Sequence, residues 1–106
     1  MDEKPGFKLD NEKTLWHLVS WEFIEAGVRV LMSGAKKYAP DNWKKVPNRR
    51  QRYMNSLQRH TVSYLKGEQI DVGTDKDPGT GESHLACIFC NAMFLFWMDM
   101  TGDKGE

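Results

Sequence analysis

The stretch Ser83–Met100, "SHLACIFCNAMFLFWMDM", decides the fold. Between Leu85 and Met98 its one strongly polar side chain is Asn91, so as a helix it is apolar nearly all round. Such a helix belongs at the centre of a bundle or in a subunit interface. His84 and Asn91 are seven apart and share one face of it. Buried there, each needs a partner, because an unpaired buried polar group costs about 1–3 kcal/mol.

Upstream, "GEQIDVGTDKDPGTGES" (Gly67–Ser83) holds four glycines and a proline and reads as loop leading into a Thr/Ser-rich helix entry. A second helix is predicted from Asn48 or Arg49 to Lys66. Tyr53, Met54, Leu57, Val62, Tyr64 and Leu65 form its apolar set, and Gly67 is placed as its C-terminal stop. "APDNWKKVPN" (Ala39–Asn48) is a loop by its two prolines and its Asp-Asn pair.

A first helix is expected to start at the caps between Asp10 and Thr14 and to run through "LWHLVSWEFIEAGVRVLMSGAKKY" to Gly34 or Tyr38. At about 100° per residue, Glu22, Glu25, Arg29 and Ser33 make one narrow stripe. Trp16, Trp21, Phe23, Ile24, Val28, Val30 and Leu31 fill most of the rest, which predicts a largely buried helix. Nothing reads as a strand.

The fold class is therefore all-α: a small bundle of about three main helices in a single domain, 1–106, with 1–12 and 100–106 as flexible ends. A chain of 106 residues buries only a modest core, so the core is expected to be completed by self-association, as a dimer or tetramer.

Fifteen basic residues balance fifteen acidic ones, which argues against a protein that coats nucleic acid or an anionic membrane. The charges come in blocks, however. Lys36 to Lys66 holds nine Lys/Arg residues and one acid, Asp41, while Glu68 to Glu82 holds five acids against Lys76 alone. A basic block beside an acidic one suits a metal-bound polyphosphate, with carboxylates on the ion and cations on the phosphate oxygens. Two solvated faces are the other reading of the same blocks.

The opening "MDEKPGFKLD" is charged and is no signal peptide, and the apolar run Leu85–Met98 falls short of the roughly 17–25 residues of a membrane span. A soluble, cytoplasmic protein without a membrane partner is expected. Cys87 and Cys90 lack a second Cys/His pair at finger-like spacing and read as buried reduced thiols.

Glu22-x-x-Glu25 and Glu68-x-x-Asp71 repeat one spacing, and two such pairs can cage Mg²⁺ or Mn²⁺, with Co²⁺ as another candidate. His60 would share a face with Glu68 and Asp71 if the second helix continued past Gly67, as a metal ligand or a general base. His84 is a further candidate ligand. In the loop, Lys36 and Lys37 can neutralise phosphates, Tyr38 and Trp43 can stack on a base, and Asn42 can read a base or ribose edge. Tyr38 and Trp43 can equally anchor the loop to the core. No nucleophile elbow or phosphate loop is present, so in an enzyme metal-activated water would be the nucleophile.

Three blocks, "SGAKKYAPDNW", "QRHTVSYLKGEQID" and "DPGTGESHLACIFCNAMFLF", resemble in order the signature of the phage-associated dATP/dGTP diphosphohydrolase N-terminal domain family, itself similar to the all-α MazG-type nucleoside triphosphate pyrophosphohydrolases. The match runs through Gly34, Ala35, Lys37, Tyr38, Asn42, Trp43, Arg59, His60, Gly67, Glu68, Asp71, Gly81, His84 and Asn91, within about Lys4 to Met98. The resemblance implies an oligomeric, divalent-metal-dependent hydrolase that cuts purine deoxynucleoside triphosphates to monophosphate and pyrophosphate in the host cytoplasm. Glu22, Glu25, Glu68, Asp71 and His84 would hold metal, with Glu68, Asp71 and His60 as the catalytic groups. Lys36, Lys37, Tyr38, Asn42, Trp43, Arg59 and Asn91 would bind substrate, and Lys44 and Lys45 would face solvent. Two positions depart: Gly79 stands where the pattern commonly has a glutamate, and Cys87 where a second histidine is frequent.

Those departures motivate the alternative, a non-catalytic protein that sequesters a nucleotide. A third reading, nucleic-acid contact through "RRQRYMNSLQRH" (Arg49–His60), is disfavoured by the adjoining acids.

Overall fold

A computed structural model describes residues 4–106. Three helices carry the fold: α1 (Trp21–Lys37), α2 (Arg49–Leu65) and α3 (His84–Thr101). Single 3₁₀ turns stand at Trp16–Leu18 and Asn42–Lys44. Helix α3 is the axis, since both α1 and α2 pack against it. The architecture is all-α, as the sequence implies, and the described residues contain no strand.

Helix α1 starts later than expected. Ser20 is its cap, its Oγ accepting from the Phe23 amide at 3.2 Å, with Glu22 in the first turn and Lys36 and Lys37 in the last, the favourable polarity for the helix dipole. The earlier cap candidates go unused because every described residue before Trp21 is exposed, and a helix without a packed face gains little. The expected burial of α1 also fails within one chain. Gly27 is its one buried residue, while Trp21, Phe23, Val28 and Met32 are exposed.

Helix α2 begins behind Asn48, whose left-handed backbone (φ 53°) asparagine tolerates. It ends in a Schellman motif: the Glu68 amide bonds the Ser63 carbonyl and the Gly67 amide the Tyr64 carbonyl, both at 3.0 Å, with Gly67 at φ 97°. Glu68 and Asp71 therefore do not continue the helix, which corrects the shared-face reading. The chain instead turns into a narrow hairpin, with single bridges Ile70 to Ser83 and Gly73 to Pro78, before Ser83 caps α3.

The core lies along one face of α3: Ala86, Cys87, Cys90 and Met98, with the polar His84 and Asn91 among them. At 18 residues α3 is long and apolar enough to cross a membrane by length and composition, so its length excludes nothing; its packing against two helices gives it a core role here. The 102–106 tail is not a loose end. The Arg50 amide bonds the Gly105 carbonyl at 3.2 Å, Arg49 pairs with Asp103, and Arg50 pairs with Asp99 at 2.9 Å. The 1–12 end lies outside the described residues as far as residue 3; from residue 4 onward it extends as an exposed arm.

Candidate active site

A cleft of about 820 Å³ opens between the C-terminal half of α1, the 38–47 loop, the inner faces of α2 and α3, and the returning arm of the hairpin at Pro78–Thr80. Lys37, Tyr38, Asn42, Trp43, Arg59, His60 and Asn91, all named from the sequence, line it. Lys36 does not. Lys45, expected to face solvent, belongs to the wall, as does Arg52, which sequence reasoning passed over.

The two loop aromatics have different roles. Trp43 stacks on Phe94 (centroids 4.6 Å apart) and meets Trp97 edge-on, while its carbonyl accepts from the Tyr53 hydroxyl at 2.8 Å. It anchors the loop to α3, so its ring is already occupied. Tyr38 is 66% exposed, with the Lys37 ammonium 5.8 Å from its ring, and is the loop ring available to a ligand. Asn91 bridges helices: its amide nitrogen donates to Ser56 Oγ (3.2 Å) and to the Cys87 carbonyl (2.9 Å), which leaves only Oδ1 unspent.

Beneath the cleft runs a chain of polar groups. Glu68 Oε1 lies 2.8 Å from His84 Nε2, and His84 Nδ1 lies 2.8 Å from His60 Nδ1. A Glu68 carboxylate can only accept, so His84 carries its proton on Nε2; with both rings neutral, His60 must donate from Nδ1 and keep a bare Nε2. Beside it, Asp71 Oδ2 accepts from the Thr80 amide (2.9 Å) and hydroxyl (3.1 Å), and that hydroxyl also lies 3.4 Å from Cys87 Sγ. Burial raises the Asp71 pKa, but the Thr80 bonds and the nearby His60 and His84 outweigh it, and the net shift is downward. Burial lowers the His60 pKa and raises that of Cys87.

The four-carboxylate cage is not assembled within one chain. Glu25 pairs with Arg29 at 3.2 Å and Glu22 accepts from Ser20 Oγ at 3.3 Å, both on the exposed stripe of α1. Arg29 in turn reaches Glu82 at 2.6 Å and ties α1 to the hairpin. Among the described residues, the metal-ligating groups that converge are His60, Asp71 and Cys87, whose ligand atoms lie within 4.8 Å of one another. An imidazole and a carboxylate suit Mn²⁺ or Co²⁺ better than Mg²⁺, which prefers oxygen throughout. The residues present therefore fit a transition-series dication.

Sequence reading passed over Thr80, and it set Cys87 aside as a buried reduced thiol for want of a second Cys/His pair. The ligand capacity of that thiol was legible, since Cys87 stands three residues after His84 and four before Asn91, on their face of α3. Thr80 was not, because only the folded hairpin brings it back to Asp71. The basic start of α2 is mostly spent on the tail, through Arg49 and Arg50, which leaves little of it for a nucleic-acid backbone.

Over residues 3–106 the chain matches the family described as dATP/dGTP diphosphohydrolase, N-terminal. It is also 30% identical over 93 residues to a dATP/dGTP diphosphohydrolase of Salmonella phage PMBT28, a match that covers 88% of this chain and 29% of that protein. The chain thus spans under a third of the length of that curated relative. No solved structure gives a significant match.

Proposed function

Since the chain belongs to the dATP/dGTP diphosphohydrolase N-terminal family, we propose that it hydrolyses purine deoxynucleoside triphosphates, dATP and dGTP, to monophosphate and pyrophosphate with the help of a divalent ion. The observation that carries this is the convergence at one cleft of the cations Lys37, Arg52 and Arg59, an exposed tyrosine and His60, with an Asp71 carboxylate oxygen within 4.8 Å of the His60 ring nitrogen.

Lys37, Arg52 and Arg59 set positive charge along the cleft for the triphosphate and for the pyrophosphate that leaves. Tyr38 offers a face to the purine, and Asn42 stands on the same loop to meet base or sugar. Asp71 and His60 would hold the ion, with Glu68 and His84 fixing the His60 tautomer from behind, the usual relation of a ligand to its supporting shell. When bound, the ion would lower the pKa of a water for attack on phosphorus. Lys36, Glu22 and Glu25 have no part in this arrangement within one chain.

We further propose that the working unit is a homo-oligomer, on the exposure of Phe23, Val28 and Met32 on α1 and of Leu85, Phe96 and Met100 on α3.

The direct test incubates the folded protein with each deoxynucleoside triphosphate and Mg²⁺, Mn²⁺ or Co²⁺ in turn. Pyrophosphate release from dATP or dGTP is expected; none with any nucleotide and any ion would refute the hydrolase. Tight calorimetric binding with the nucleotide recovered intact would establish the sequestering alternative. One of the two departures behind that alternative has a steric cause: a Cβ on Gly79 would sit 2.2 Å from the Asp71 carbonyl oxygen, so the hairpin admits no side chain there.

A further inference from the structure

We propose that Cys87 is a thiolate ligand, and that His60, Asp71 and Cys87 together form a mixed nitrogen–oxygen–sulfur site selective for a borderline transition-metal dication of the Co²⁺ or Zn²⁺ class over Mg²⁺. The inference rests on reading His60 and Asp71 as the metal-holding pair and adds the third donor, which sets the metal class.

Three observations on the molecule support it. The candidate ligand atoms come from three different elements, α2, the hairpin and α3, yet lie within 4.8 Å of one another. Donors at about 2.0–2.3 Å from a shared ion stand roughly 3.3–3.8 Å apart in a tetrahedral site, so a closure of about an ångström brings them into ligation. Second, the supporting groups are already in place. The Thr80 amide holds Asp71 Oδ2 by itself, so the Thr80 hydroxyl, which lies 3.4 Å from Cys87 Sγ, can turn its single proton to a thiolate there, and His84 contacts His60.

Third, Cys87 is 2% exposed and unpaired in any disulfide, and it is distinct from its neighbour Cys90, whose Sγ donates to the Gly27 carbonyl at 3.2 Å. Cys90 therefore faces α1 and serves the helix crossing, while Cys87 faces the site. Ion binding converts the Cys87 thiol to thiolate and releases its proton to solvent. A thiolate favours softer ions and disfavours Mg²⁺, which keeps oxygen ligands.

Co²⁺ is the probe. Titrated into the reduced full chain, it should produce a near-ultraviolet sulfur-to-cobalt charge-transfer band that saturates at one ion per chain. The band should vanish in Cys87→Ser, persist in Cys90→Ala, bleach on addition of Zn²⁺ and ignore excess Mg²⁺. Should Cys87→Ser fail to fold, X-ray absorption on the wild-type Zn²⁺ protein reads the same point, through a sulfur scatterer at about 2.3 Å. Co²⁺ bound without a charge-transfer band, a band that survives Cys87→Ser in folded protein, or a shell of only light atoms would overturn the inference. The band is read without nucleotide, so the two proposals fail separately. Pyrophosphate release without the band removes the thiolate alone, and the band without release removes the hydrolase alone.

Discussion

His60 sits where burial and charge compete. Burial depresses its pKa most, Asp71 pulls it back, and His84 and Arg59 push it down again, for a net fall below the ordinary 6.5. A ring whose folded pKa is depressed takes up its proton more readily in the unfolded chain. Its contribution is therefore intact above the ordinary value and is lost as pH falls below it. Asp71 has the same sign in a lower window: its folded pKa lies below 3.8, so its stabilisation is present above that value and disappears as pH falls through the depressed one. The metal-free chain should thus lose melting temperature as pH falls from about 7.5 to about 5.5, and His60→Gln should flatten that slope, while Asp71→Asn, by removing the charge that pulls the His60 pKa back up, should carry the slope to lower pH and also change the more acid limb. Equal slopes in wild type and His60→Gln across that range would show that His60 is not held neutral. These two residues were nameable from the sequence by type and spacing. Their environment was not, because Thr80 and His84 reach them only through the hairpin and the packing of α3 against α2.

At the level of elements, the decisive contact is the crossing of α1 over α3 at Gly27. A Cβ there would stand 2.8 Å from two ring carbons of Phe89, and the Gly27 carbonyl receives the Cys90 thiol. Glycine in mid-helix costs about 1 kcal/mol against alanine, so its presence here reflects close approach rather than propensity. Valine regains only part of that propensity and adds an isopropyl group, three carbons, to a filled site, where overpacking costs about 1–3 kcal/mol. Gly27→Val should destabilise by about 1–2 kcal/mol in urea unfolding, and Phe89→Leu in the same chain should recover part of the loss. A double-mutant coupling under about 0.5 kcal/mol would mean that the crossing is not the cause. The three helices were legible because apolar periodicity and the Gly67 and Ser83 signals agree. The start of α1 was not, since caps at Asp10 to Thr14 compete with Ser20, and tertiary packing, which a linear pattern does not contain, decides between them.

The whole molecule measures 71 × 34 × 26 Å, elongated for a chain of 106 residues. Residues 4–20 are exposed throughout, with Phe7 at 88% and Trp16 at 67%. The sequence predicted α1 as a buried helix, and its composition is that of one, but among the described residues of one chain only Gly27 of it is buried. A pattern read along one chain identifies an apolar face without saying what covers it. Removing apolar surface from water stabilises by about 25 cal/mol per Å², so a second copy laid on these faces would add to stability. Sedimentation of this chain should therefore give a mass above the 12.3 kDa of one copy. Its melting temperature should fall on dilution, as expected when folding and association are linked. A homo-oligomer held by these apolar faces should stay intact in moderate salt, whereas removing residues 1–19 should shift it toward monomer and lower the melting temperature. A single-chain mass at every concentration, with a melting temperature indifferent to dilution, would show instead that the exposed α1 and α3 faces are not covered by a second copy.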